Sequence, residues 1–261
     1  MARYKLTLEY DGRPFVGWQR QANGLSVQEA VETALWTLTG ERRVVQAAGR
    51  TDAGVHALGQ VVHVDLARDW PADKLRAALN AHLRLFPIAA VLVEAVDATF
   101  QARFSAVRRH YRYRILNRRA PATLARGRVW HVARALDADA MAQAARHLIG
   151  RHDFTTFRAA ECQAASPVRT IDAFSVARRD ESIVFDVAAR SFLHHQVRAM
   201  VGSLELVGCG KWRPEDLAAA LAACARPRCG PTAPAAGLYF MRVDYPEPAA
   251  DPDGNRPARA L

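Results

Sequence analysis

The feature that most constrains this chain is a strand and helix order that occurs twice. Residues 4–10 alternate apolar and polar as a strand, and Ser26 with Glu29 forms a capping box for a helix running to about Leu38, before Gly40. Strands are predicted over 44–50 and 60–65, a helix with Pro71 in its first turn ends near Leu83, and 88–96 reads as a continuous apolar strand. Strand 108–117, a helix capped by Asp137 and ending at Gly150, and strands 170–177 and 182–189 follow. A helix over 194–207 (Val197, Met200, Val201 and Leu204 on one face), another from Pro214 to about Ala225, and a strand over 237–244 close the chain. The order βαββαβ thus appears twice, with one helix added the second time. Such a chain is predicted to be α+β: two tandem ferredoxin-like halves, residues 1–103 and 104–246, with mostly antiparallel sheets and a cleft between them. Residues 247–261, rich in Pro, Ala and Asp without a periodic apolar face, are expected to be a disordered tail. Topology of this kind serves many functions, so the chemistry must come from particular residues.

The densest stretch is AGRTDAGVHALGQVVH at 48–63, where Asp52 lies between Gly49 and Gly54, two residues after Arg50. Glycines there permit a sharp turn and close approach of another molecule. A carboxylate on such a turn is presented at a sheet edge. At period two Arg50 faces the same side as Asp52 and can hold it ionised or bind an anion beside it. An isolated Asp-Ala-Gly would only predict an Asx turn. One carboxylate with no second acid nearby does not fit a glycosidase pair, but it suits a nucleophile or base, given a counter-charge such as Arg50 or Arg198.

Charge is the second constraint. The net charge of +10 is uneven: residues 1–103 hold 12 basic and 11 acidic side chains, residues 104–246 hold 22 and 12. No acid occurs between Asp97 and Asp137, while Arg103, Arg108, Arg109, Arg112 and Arg114 lie there among Phe104, Tyr111 and Tyr113. Arginines without local acids, interleaved with aromatics, point to RNA, where phosphates give affinity and base faces stack.

Other classes find less support. Four cysteines (Cys162, Cys209, Cys224, Cys229) contain no CxxC pair and are read as ordinary thiols. No apolar run reaches the length of a membrane helix, and MARYKLTLEY lacks a secretory pattern, so a cytoplasmic protein is expected. Asp52 with His56, His63, His194 and His195 suggests a metal-dependent hydrolase, but no HExxH-like spacing supports it and structural histidines are the simpler reading. A non-catalytic RNA-binding module is the other alternative; such a module gains nothing from a carboxylate beside phosphates.

Together with YDGRPFVGWQRQ (10–21), RFSAVRRHYRYRILN (103–117) and HHQVRAMVG (194–202), the GRTDAGVH motif closely resembles the tRNA pseudouridine synthase A family, from about Lys5 to Tyr245. The resemblance implies isomerisation of uridine to pseudouridine at positions 38 to 40 of the tRNA anticodon stem-loop, with no cofactor and no metal, by a homodimer. It implies that Asp52 is catalytic, attacking the uracil ring or the sugar C1′ or starting an elimination to a glycal. Arg50 matches the arginine that fills the place of the flipped-out base, Tyr111 the tyrosine that packs on the target uracil, and Arg198 the partner of the catalytic aspartate. Arg103 and Phe104 of FQARF (100–104), with Arg108 and Arg109, are the expected RNA contacts. ECQAA (161–165) aligns with another contact segment, but Ala164 and Ala165 stand where the family often has hydroxyl and basic residues.

Overall fold

A computed structural model describes residues 1–246; the tail expected over 247–261 lies outside them. β1 (Ala2–Tyr10) buries Tyr4, Leu6, Leu8 and Tyr10. α1 (Val27–Thr39) starts where Ser26 Oγ accepts from the Glu29 N–H at 3.1 Å, and stops at Gly40, whose φ of 75° lets its N–H reach Trp36 O. β2 (Gln46–Ala47), β3 (His56–Leu66), α2 (Ala72–Leu83) and β4 (Ile88–Val96) complete the first set. The second comprises β5 (Arg108–Asn117), β6 (Trp130–Val132), α3 (Ala138–Ala145), β7 (Gly150–Asp153), β8 (Val168–Arg179), β9 (Ser182–Ala189), α4 (Gln196–Gly208), α5 (Pro214–Ala222) and β10 (Leu238–Asp244).

Pairing gives the same arrangement twice. In the first set the order is β4-β1-β3-β2, and in the second β10-β5-β9-β8 with β7 added outside. Each is the fourth, first, third and second strand of a βαββαβ unit, the ferredoxin-like order. The two sets share one sheet: β10 runs parallel to β3, pairing Tyr239 with His56 and Phe240 with Ala57, while its other edge is antiparallel to β5. The free edge of β3 is therefore divided, with β10 on its first residues and β2 on Val62 and His63.

That division explains one departure from expectation. The strand predicted over 44–50 pairs only at Gln46 and Ala47. After the Ala48 N–H donates to Val61 O, the backbone leaves the edge, and Ala48 O is taken by the Arg109 side chain. The helix predicted to reach Gly150 likewise ends at Ala145, passes through one 3-10 turn and becomes β7. Two cores result. One packs α1 and α2 on β1, β3 and β4 around Leu6, Leu35, Leu75 and Phe240; the other packs α3, α4 and α5 around Tyr113, Phe157, Phe185 and Met200. Tyr111 touches both, which places it at the seam. Among the described residues no helix is long and apolar enough to cross a membrane.

Candidate active site

The segment between β2 and β3 is fixed from several sides. Trp18 N–H donates to Thr51 O at 2.9 Å, the Tyr10 hydroxyl meets Thr51 Oγ1 at 2.8 Å, and Gln60 Nε2 donates to Gly49 O at 2.6 Å. Val55 N–H closes a turn on Asp52 O, with Gly54 at φ 77°. Gly17 faces this turn so closely that a Cβ on it would lie 2.8 Å from Thr51 O. The consequence is a rigid loop that holds out one carboxylate.

What meets that carboxylate comes from the other set of strands. Arg198, in the first turn of α4, donates from Nη1 to Asp52 Oδ2 at 2.8 Å and from Nε to Ala233 O at 2.8 Å. Its two anchors leave the guanidinium one orientation. His195 precedes α4 in the left-handed region at φ 63°, and Gln196 Oε1 accepts from Leu193 N–H, so the chain enters the helix through a tight turn. That turn sets His194 Nε2 3.5 Å from Asp52 Oδ1 and His195 Nε2 3.3 Å from Oδ2. The Asp52 side chain is 20% exposed, enough for a ligand to reach it. Tyr111 lies beside the site, its ring edge-on to Phe192 at 5.1 Å and to Phe240 at 4.8 Å.

Electrostatics follow from these contacts. Burial pushes the Asp52 carboxyl up, but the hydrogen bonds to His194 and Arg198 outweigh it and hold the group below the ordinary carboxylate range. The Asp52 hydrogen bond raises His194, against the effect of burial, whereas burial prevails at His195 and lowers it. Burial, then the neighbouring Tyr10 and Asp52, raise the Tyr111 hydroxyl and keep it protonated. At neutral pH the site thus holds an anionic oxygen against a fixed guanidinium, beside a neutral phenol.

A sequence profile described as tRNA pseudouridine synthase matches residues 7–105 and 144–246. This chain belongs to that family. The family match falls in two blocks, the first over most of the first set of strands and the second from the end of α3 to β10, with β5 and β6 between them. Relatives named tRNA pseudouridine synthase A include those of Beijerinckia indica, 64% identical over 95% of this chain and 95% of its own, and Methylocella silvestris, 64% identical over 95% and 100%. That of Maricaulis maris is 59% identical over 95% and 100%. A solved chain titled "Crystal Structure of a Cbf5-Nop10-Gar1 Complex" overlaps 78% of this chain and 45% of its own at a TM-score of 0.37 and 12% identity, too slight a likeness to bear on the fold.

Within this pseudouridine synthase family member, the expected site residues fall into three groups. Asp52, Arg198 and Tyr111 come together. Arg50 does not join them: it is exposed, and among the described residues it makes no ion pair with Asp52, whose counter-charge is Arg198. Arg103 and Phe104 stand exposed, the guanidinium 5.3 Å from the centre of the Phe104 ring.

The third group requires correction. Arg109, expected on RNA, is 8% exposed and donates to Ala48 O, Ala106 O, Arg190 O and Arg103 O. Its guanidinium ties together three backbone segments and has no free donor face for a phosphate. The basic run is also less bare than its sequence. Arg108 pairs with Asp172 at 2.9 Å, Arg112 with Asp186 at 2.7 Å and Arg118 with Glu181 at 2.8 Å, all acids brought over by β8 and β9 or the turn between them.

Of the histidines, His56 and His63 are buried and accept from backbone N–H groups of Gly12 and Ala102 through Nδ1. His194 and His195, in contrast, reach the carboxylate, a contact that spacing did not suggest although they share a motif with Arg198. Among the described residues they form, with Asp52, a group able to hold a metal ion, offering one ligand atom each within 4.8 Å of one another.

Proposed function

We propose that this chain isomerises uridine to pseudouridine in tRNA, at positions 38 to 40 of the anticodon stem-loop, with Asp52 as the catalytic residue. Residues 1–103 supply the Asp52 loop and residues 104–246 the helix that carries Arg198. The observation that carries the reading is the 2.8 Å contact between these two groups from opposite halves, in a chain 64% identical to enzymes of that name.

The reaction breaks the N1–C1′ bond, turns the freed uracil, joins C5 to C1′, moves a proton to N1 and removes the one on C5. No oxidant or co-substrate enters that balance. Asp52 supplies a partly desolvated anion, and Arg198 keeps it ionised and aimed. A stem base reaches the carboxylate only when unstacked, at a cost of a few kcal/mol. On this reading Arg50, exposed two residues before Asp52, fills the gap the base leaves, while Tyr111 packs on the uracil.

Phosphate contacts fall to Arg103, whose neighbour Phe104 offers an exposed ring for a base to stack on, and to an open cavity of about 590 Å³ lined by Arg108, Arg151, Arg169 and Arg190, with Asp172 its one acid. The Nε of Arg169 there is buried with no protein partner. We assign the working unit as a homodimer in the cytoplasm, since an L-shaped tRNA is much larger than one such site. Mapping pseudouridines in an unmodified tRNA transcript, with and without the protein, by carbodiimide labelling and mass spectrometry tests reaction, substrate and position together. New pseudouridines at 38 to 40 are expected; none anywhere would end the reading.

A further inference from the structure

The three groups around the carboxylate have a second capability. In tetrahedral zinc sites with metal–ligand bonds of 2.0–2.1 Å, neighbouring ligand atoms lie about 3.3 Å apart. The separations found here are 3.3 Å between His195 Nε2 and Asp52 Oδ2 and 3.5 Å between His194 Nε2 and the other carboxylate oxygen, Oδ1; with one ligand atom from each residue all three lie within 4.8 Å of one another, so closing on one ion takes a small side-chain shift. Side-chain exposures of 42% and 30% leave both imidazoles open to solvent. Two imidazoles and a carboxylate with an open fourth position form the donor set that borderline cations such as Zn²⁺ prefer.

We propose that Asp52, His194 and His195 form a low-affinity site for Zn²⁺ or a similar transition-metal dication, and that its occupation switches the enzyme off. The metal would take the carboxylate lone pair on which catalysis draws and block the approach of a uridine. That second half rests on the role proposed for Asp52; the binding itself does not. Two opposing charges make the site weak. Arg198 already shares the carboxylate, and the amino end of α4, just beyond His195, is the positive end of the helix dipole. The site is therefore inhibitory and reversible, filled when free metal rises and emptied by a chelator.

The test measures Zn²⁺ binding to the tRNA-free protein by competition with a chromophoric chelator, in wild type, His194→Asn and His195→Asn. Asparagine tolerates the left-handed backbone at 195, and circular dichroism checks that each variant folds. Wild type should bind one Zn²⁺ per chain, and each variant should bind at least about tenfold more weakly, the smallest loss seen when even an outer-shell partner is removed. On unmodified tRNA, excess Zn²⁺ should stop the wild-type reaction and EDTA should restore it. Absence of bound Zn²⁺, or binding that both variants leave unchanged and that therefore belongs to the thiols, overturns the site. Binding at the three residues with undiminished turnover overturns its inhibitory role. The binding result does not depend on whether the metal-free protein makes pseudouridine, whereas the inhibition result is read against that activity, so failure of the site and failure of the proposed reaction are told apart.

Discussion

Replacing Arg109 by Ala separates the anchor seen in the structure from the RNA contact predicted by the sequence. Its guanidinium donates to four carbonyls, those of Ala48 before the Asp52 loop, Arg103 and Ala106 between β4 and β5, and Arg190 ahead of His194. Each buried carbonyl left unpaired costs about 1–3 kcal/mol. Water entering the vacated space brings each to the lower end, at most about 4 kcal/mol for the four, since the contacts to Arg103 O and Arg190 O are only part-buried. Removal of a cation whose burial already lowers its pKa offsets part of this. A net loss of roughly 3 kcal/mol remains, a large share of the 5–15 kcal/mol typical of folded chains. Urea unfolding should show it as a midpoint lowered by roughly 1 M or more, given slopes of about 1–3 kcal/mol/M. Arg109→Lys keeps the charge but loses the planar fork, and should fall between wild type and the alanine variant. If Arg109→Ala unfolds within about 1 kcal/mol of wild type while the salt dependence of tRNA binding becomes shallower, the guanidinium is a phosphate ligand and the anchor argument is wrong.

Further predictions concern charge, loop support and RNA contact. Burial raises Asp11, but hydrogen bonds from Arg13 and Arg128 prevail and hold its carboxyl well below the usual range. The stability it contributes is therefore present above the unfolded-state pKa of about 3.9 and lost as pH falls below it, so wild type and Asp11→Asn should differ in urea midpoint at pH 6 and converge toward pH 2. Gly17→Ala places a Cβ against Thr51 O at φ 110°; it should cost about 1–3 kcal/mol in thermal unfolding and lower kcat by displacing the Asp52 loop. Arg103→Ala should reduce the slope of log affinity for tRNA against log salt by about 0.9, whereas Arg112→Ala, already paired with Asp186, should change it less. Equal slopes for the two variants would place the RNA elsewhere.

What the sequence disclosed, and where it fell short, has physical causes. The bounds of β4, β5 and β9 coincide with the predicted 88–96, 108–117 and 182–189, because uninterrupted apolar or alternating runs carry the period directly. β6 and β7, with three and four residues, are too short to show one. The length of β2 depends on β10 competing for the same edge of β3, a tertiary matter that local pattern does not hold. The seam is equally non-local, since Asp52 and Arg198 stand 146 positions apart: the residues alone offered Arg198 only as one of two counter-charges, and the family resemblance singled it out as the partner. The basic run misled for the same reason: a gap in acids along the chain predicted bare arginines, while β8 and β9 supply Asp172 and Asp186 across the sheet. His194 and His195 were weighed as metal ligands or structural groups, and their place at the carboxylate comes from the left-handed turn at 195, which spacing does not reveal.

The central claim is that the oxygen atoms of Asp52 carry the isomerisation. Joining C5 of uracil to the sugar releases the hydrogen on C5, so tRNA transcribed with uridine tritiated at that carbon reports each turnover as tritium in water. Wild-type protein should release it to completion at the target uridines. Asp52→Asn, which keeps size and hydrogen-bonding capacity but not the charge, should bind the same tRNA at least as tightly and release none above background. Release by Asp52→Asn at a rate near that of wild type would contradict the account.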